Sequence, residues 1–210
     1  MSREIVAYKY VERQIQNKVA SGSLRLGSQE YFRQLSTESV GDPSEGKATH
    51  RITGKYTAKD GDIRFSNHRP NHSLIKISGE GQVIFQGSHF STTENYLIFC
   101  ATTDRNDVHW KTKYSPQKDS LVVIKNFQEL QRRIEVEISK QYEIIEAGCC
   151  RVEYGEEIKF SRTLLEGPFI CRKKPKFSAE REVRAYFKVR GHVPKFQDVQ
   201  IDPADLISIA

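Results

Sequence analysis

Near its C-terminus the chain runs Ala179-Glu180-Arg181-Glu182-Val183-Arg184-Ala185-Tyr186-Phe187. The aromatic and branched residues that follow Glu182 read as a strand, and charges are threaded into that stretch at alternate positions. Side chains alternate faces along a strand, so Glu180, Glu182 and Arg184 are predicted on one face and Arg181, Val183 and Ala185 on the other. Two carboxylates beside an arginine are costly to bury unless they are paired, solvated or in contact with a ligand. A fold for this chain must therefore give that face either a site or an ion pair. As a site, the pair could hold a ribose hydroxyl, steady an oxocarbenium-like centre or take a proton. The plain alternative is a strand with an internal salt bridge.

With 210 residues the chain is expected to form a single domain over 1–210. The net charge of +6 favours polyanionic partners, nucleic acid first. Its densest basic knot is Arg172-Lys173-Lys174-Pro175-Lys176, just ahead of the acidic strand. The cysteines are Cys100, Cys149, Cys150 and Cys171, without CxxC spacing, which argues against a zinc site. The vicinal Cys149-Cys150 pair in a cysteine-poor chain leads to an expectation of reduced thiols and a cytoplasmic setting. No apolar stretch approaches the length of a membrane span, so no membrane partner is expected.

Along the chain, Ile5–Tyr10 reads as a strand and Glu12–Ala20 as a helix with Val11, Ile15 and Val19 four apart, stopped at Ser21-Gly22. Ser23–Leu26 is a second strand, and Gln29–Leu35 is helical. Val40–Gly46 is a turn carrying Asp42 and Glu45. Strands are predicted at Ile63–Phe65, Ser73–Ser78, Gln82–Phe85, Tyr96–Ala101 and Leu121–Ile124. The segment Asn126–Lys140 is an amphipathic helix with Phe127, Leu130, Ile134 and Ile138 on one face, and Asn126 is positioned to cap it. Strands at Glu143–Ala147 and Cys150–Tyr154 flank Gly148, Phe160–Leu165 is helical, Ala179–Val189 is the longest strand, and Val199–Ile209 closes the chain. This mixture is α+β: a mostly antiparallel, split β-sheet core with flanking helices.

Two loops carry chemistry-bearing residues. The turn around Asp42 and Glu45 lacks the Gly-Lys-Ser/Thr ending of a phosphate loop. After Phe99-Cys100-Ala101-Thr102-Thr103-Asp104, the polar stretch Val108–Tyr114 holds His109, Trp110 and Tyr114, where an aromatic side chain can stack on a base or plug the core. His68 and His72 are four apart, but the intervening Pro70 opposes a helical metal pair, and no metal site is assigned.

The order of these segments resembles a family of uncharacterised bacterial domains found in defence and abortive-infection settings. The carrying residues are Tyr8-Lys9-Tyr10, Gly22-Ser23-Leu24-Arg25-Leu26, Gly41-Asp42-Pro43-Ser44-Glu45-Gly46, Phe99–Thr103, His109-Trp110 with Tyr114, Arg151–Tyr154 and Phe177–Arg184. Family members show Asn-Asp-Pro-Phe-Glu, Met-Trp-x-x-Tyr and Glu-x-Glu-x-Arg in that order. This chain has Gly41 for Asn, Ser44 for Phe, His109 for Met and one extra residue before Tyr114. The layout is similar to that of diverged ADP-ribosyltransferases, including DNA-modifying toxins. The resemblance implies an ADP-ribosyltransferase-like fold with NAD as cofactor. On that pattern Glu182 is the catalytic carboxylate, assisted by Glu180. Tyr8, Lys9 and Tyr10 occupy the first-strand position, where the usual His or Arg is missing. Tyr31, Trp110 or Tyr114 forms the aromatic wall, and Arg33 or Arg184 holds pyrophosphate.

The resulting expectation is a toxin or defence effector modifying nucleic acid or protein, with an antitoxin or defence-system protein as a further partner. Two other functions compete. One is a non-catalytic nucleic-acid- or protein-binding module in which Glu180 and Glu182 are salt-bridged. The other is a metal-dependent nuclease using Asp42, Glu45 and Glu182.

Overall fold

A computed structural model describes residues 4–35, 95–105, 119–155 and 169–210, together with the strand backbone of 47–58, 61–63, 75–77 and 81–93. Asp42, Glu45, Trp110, Tyr114 and the helix predicted at Phe160–Leu165 lie outside the described residues. The chain divides into two compact units, one formed by Met1–Lys47, Thr93–Glu156 and Pro168–Ala210, the other by Ala48–Thr92 and Glu157–Gly167. In the second unit, β3 (Lys47–Ala58) pairs with β6 (Gly81–Thr93), and β4 (Gly61–Ile63) pairs antiparallel with β5 (Ile75–Ile77).

The first unit is α+β and is built on an eight-stranded sheet whose pairings are antiparallel. Its strands are β1 (Ala7–Val11), β2 (Ser23–Ser28), β7 (Leu97–Thr102), β8 (Ser120–Ile124), β9 (Ile144–Arg151), β12 (Glu182–Val189), β13 (Phe196–Gln200) and β14 (Ile207–Ile209). The centre is β7. Along one edge it pairs with β12 from Leu97 to Thr102. The opposite edge is shared: β2 takes Leu97 and Ile98, and β1 takes Thr102. The sheet splits between those two points. Thr103 N–H donates to Arg181 O at 2.9 Å, so odd-numbered residues of β7 address β12 and Cys100 turns its carbonyl into the split. The Lys9 ammonium donates to that carbonyl at 2.5 Å.

Helix α1 (Arg13–Ala20) follows β1 and ends at Gly22, whose φ of +88° continues the turn. Helix α2 (Gln29–Gln34) is capped by Ser28, whose Oγ accepts from Tyr31 N–H. Helix α3 (Phe127–Ser139) is capped by Asn126, whose Oδ1 accepts from Glu129 N–H at 2.9 Å. The periodicity of this segment fixes its packing face: Phe127, Leu130, Ile134 and Ile138 are all fully buried. They cover one face of the sheet, against Leu97, Phe99, Ala101, Val183, Ala185 and Phe187. The other face carries Ile98, Cys100, Thr102, Glu182, Arg184 and Tyr186. It is covered by the 3-10 turn Phe169–Cys171, the short parallel pair β10 (Glu153–Tyr154) and β11 (Arg172–Lys173), and the 3-10 turn Pro175–Glu180.

Four sequence expectations are corrected. The strand predicted at Ala179–Val189 starts at Glu182, because Glu180 ends a 3-10 turn and Arg181 is left-handed with φ 43°. Two strands were expected around Gly148, yet β9 runs through it. A Cβ at Gly148 would lie 2.7 Å from Tyr186 Oη, so the glycine makes room for a neighbouring ring and does not break the strand. The expected Val199–Ile209 strand is two, β13 and β14, separated by a turn at Pro203–Leu206. Cys150 and Cys171 form a disulfide where reduced thiols were expected, while Cys100 and Cys149 are free. Among the described residues no helix is long and apolar enough to cross a membrane.

Candidate functional site

The acidic strand delivers its charges into a buried network. Glu182 and Arg184 share a strand face, as the alternation requires. Arg184 Nε donates to Glu182 Oε1 at 2.9 Å and Nη2 to Oε2 at 3.2 Å, a two-pronged pair. Glu180 joins them by a different route. The left-handed turn at Arg181, rather than strand alternation, brings its carboxylate to Lys173. The Lys173 ammonium bridges Glu180 Oε2 at 2.8 Å and Glu182 Oε2 at 2.7 Å. All four residues are buried, Arg184 to 1% exposure. The Glu182 backbone is held as well: its N–H donates to Tyr154 Oη, and its carbonyl accepts from Val152 N–H.

Electrostatics follow from this enclosure. Burial alone pushes the Glu182 carboxyl up. The Arg184 and Lys173 charges, with hydrogen bonds from Arg184 and the Cys100 thiol, overcome it and hold the carboxyl well below the usual carboxylate range. Burial pushes the Cys100 thiol far up, reinforced by Glu182. That leaves a protonated donor, not a nucleophile. Burial lowers Lys9, which lies 4.8 Å over the Phe99 ring. Burial also pushes Tyr154 up to about 12, although the Glu182 N–H hydrogen bond opposes it. Both carboxylates are thus occupied by cations of the same fold. Lys173 belongs to the basic knot that looks like solvated surface in sequence, but at 9% exposure it is an internal counter-ion.

The first-strand residues reach this neighbourhood in part. Tyr8 pairs with Thr102, which pairs with Glu182, so the three form one row across β1, β7 and β12 on one face. Lys9 meets the network through Cys100 O. Tyr10 is buried beside Leu121. Tyr31 and Arg33 are not in this row. They ride on α2, at the Leu97–Ile98 end of β7, whereas Glu182 sits at the Thr102 end, about 13 Å of strand away.

Tyr31 belongs instead to an aromatic and cationic platform that sequence reading did not find. Phe196, at the start of β13, pairs across to Gly27 of β2 and is 38% exposed. Tyr31 packs edge-on against it with ring centroids 4.5 Å apart, and Phe32 lies 5.4 Å from Tyr31. Gly27 permits this, because a Cβ there would meet the Phe32 ring at 2.8 Å. The Lys195 ammonium lies 5.2 Å over Tyr31 and 5.4 Å over Phe196, and the Arg25 guanidinium lies 5.4 Å over Phe196. Asp198 holds Arg25 by two hydrogen bonds. The backbone is fixed by Ser28 N–H donating to Lys195 O. The signal in sequence was the Lys195-Phe196 pair opening a strand, but its significance depends on Gly27 and Tyr31, far away in the chain.

Among the described residues no group of three or more His, Cys, Asp and Glu side chains converges as a metal site would require. No family model, curated protein or solved structure shows significant similarity to this chain.

Proposed function

We propose that this chain is a nucleic-acid-binding module that takes unpaired nucleotides on the Tyr31–Phe196–Lys195–Arg25 platform. The observation that carries this reading is the platform itself: exposed ring surface fixed by strand pairing and flanked by cations, on a chain of net charge +6. Bases stack on aromatic rings and phosphates are drawn to lysine and arginine, a combination that suits single strands whatever their sequence. The rings already hold cations over them, and an incoming base would displace the Lys195 ammonium toward a phosphate. The buried carboxylates support the same reading, because each already has a cation of its own.

The test is a titration of a labelled single-stranded oligonucleotide, followed by fluorescence anisotropy. Phe196→Ala removes one stacking face and weakens binding about 5- to 100-fold. Equal affinity in Phe196→Ala and the unaltered chain refutes the platform.

The ADP-ribosyltransferase reading retains one observation in its favour, the Tyr8–Thr102–Glu182 row with Glu180 converging on it. On that reading Glu182 would stabilise an oxocarbenium-like centre after release of Lys173. NAD consumption that disappears in Glu182→Gln supports it. No turnover in the unaltered chain, with nucleic acid and protein acceptors supplied, removes it.

A further inference from the structure

The buried charge network is closed from above by one short segment, and that segment is stapled to the sheet. Arg184 Nη1 donates to Ile170 O, and Lys173 bridges Glu180 and Glu182. Both ties arise from residues 170–173. Between them lies Cys171, bonded to Cys150 of β9. Cys150 is itself the cross-strand neighbour of Arg184, so the covalent tie and the ionic ties converge on the same row of the sheet.

We infer that the Cys150–Cys171 disulfide is a redox latch on the cover of the Glu180–Glu182–Lys173–Arg184 network. Besides the β10–β11 pairing and the packing of Ile170, the cover is held by ion pairs whose attraction must offset their own desolvation, a balance close to neutral. The disulfide joins residues 21 apart in sequence and keeps the cover seated when those ties break momentarily. Opening withdraws Lys173 and Ile170 O together. The two carboxylates and the Arg184 guanidinium then face water or a ligand.

Release is a thiol–disulfide exchange with a dithiol reductant. A reductant thiolate attacks the half-buried Cys150 sulfur, the Cys150–Cys171 bond breaks, and Cys171 leaves as a thiolate that takes up a proton. The reductant's second thiol then displaces Cys150. Two electrons and two protons pass to the protein, which ends with two thiols, and the reductant ends as a cyclic disulfide. Neither free cysteine is placed to bond Cys150. Cys149 points to the opposite face of β9. Cys100 is two strands away, on the far side of Arg184, about 9–10 Å against the ~7 Å that a disulfide spans.

Hydrogen exchange read by mass spectrometry tests the latch on the full chain, oxidised with diamide or reduced with dithiothreitol. Peptides covering 169–173 should exchange roughly a hundredfold faster after reduction, while β12 and α3 stay protected. The Cys150→Ser, Cys171→Ser double variant should match the reduced chain and ignore dithiothreitol. Equal exchange in both redox states overturns the latch. Exchange that rises equally in α3 also overturns it, because the bond is then a staple for the whole unit. Alkylation of both Cys150 and Cys171 after diamide treatment overturns it outright.

Discussion

Replacing Lys173 with methionine keeps the length and apolar stem of the side chain and removes only the charge. In the intact chain one ammonium touches both carboxylates, at 2.8 and 2.7 Å. Those contacts laid end to end put the two oxygens at most about 5.5 Å apart, where two unit charges repel by about 3 kcal/mol at an effective dielectric of 20. Arg184 stays to neutralise Glu182, while Glu180 loses the ammonium that lies 2.8 Å from its Oε2. Breaking a buried pair by removing one partner costs about 3–5 kcal/mol, and the two figures agree. The pH dependence should weaken as well. In the intact chain Glu182 is held below the ordinary value of 4.5. The unfolded chain therefore binds more protons in acid, and that contribution to stability is complete above 4.5 and lost as the pH falls. In Lys173→Met, Glu182 loses one of the two cations that hold its carboxyl down and keeps Arg184. Its folded pKa moves back toward the ordinary value, so less stability is lost as the pH falls. Urea unfolding followed by circular dichroism at pH 4, 5, 6 and 7 reads both effects. A variant within about 1 kcal/mol of the parent at pH 7, with the same pH trend, would refute the network as described. Adding Glu180→Gln to Lys173→Met should recover part of the loss, because it removes one of the two carboxylate charges that Lys173 bridged.

Two further outcomes follow from the packing. Gly148→Ala drives a methyl group into Tyr186 Oη and should cost about 1–3 kcal/mol, recovered in part by Tyr186→Phe, and urea midpoints of the single and double variants measure it. Asn126→Ala removes the cap of α3 and should cost about 1 kcal/mol, seen as a lower thermal midpoint with the spectrum of the folded state unchanged.

The parts of the fold that were legible in sequence are those that local physics dictates. The buried face of α3 and its Asn126 cap follow from a 3.6-residue repeat and a capping residue, and both stand in the structure as read. The elements β1, α1, β2 and α2, though not their exact ends, follow similarly from apolar spacing and the stop at Gly22. What was not legible depends on partners distant in the chain. Gly148 looks like a breaker until Tyr186 is seen against it. Glu180 looks like a strand residue until Arg181 is seen to turn left-handed. Lys173 looks like part of a solvated basic run, yet pairing of β11 with β10 turns it inward. The disulfide joins cysteines with no telling spacing. In the candidate platform, Tyr31 could be singled out as aromatic, but its partner Phe196 lies 165 positions further along, and nothing local in the sequence joins them.

The central claim is that nucleic acid is bound through the platform cations, and the salt dependence of single-strand affinity tests it most directly. Each phosphate neutralised contributes about −0.7 to the slope of log affinity against log salt for single strands. Affinity of the full chain for an unstructured oligonucleotide should fall steeply between low and physiological salt. Lys195→Ala should make the slope shallower by about 0.7, and Glu182→Gln, assayed where it remains folded, should leave the slope unchanged. Undetectable binding at low salt, or a slope that Lys195→Ala leaves untouched while Glu182→Gln alters it, would contradict the account.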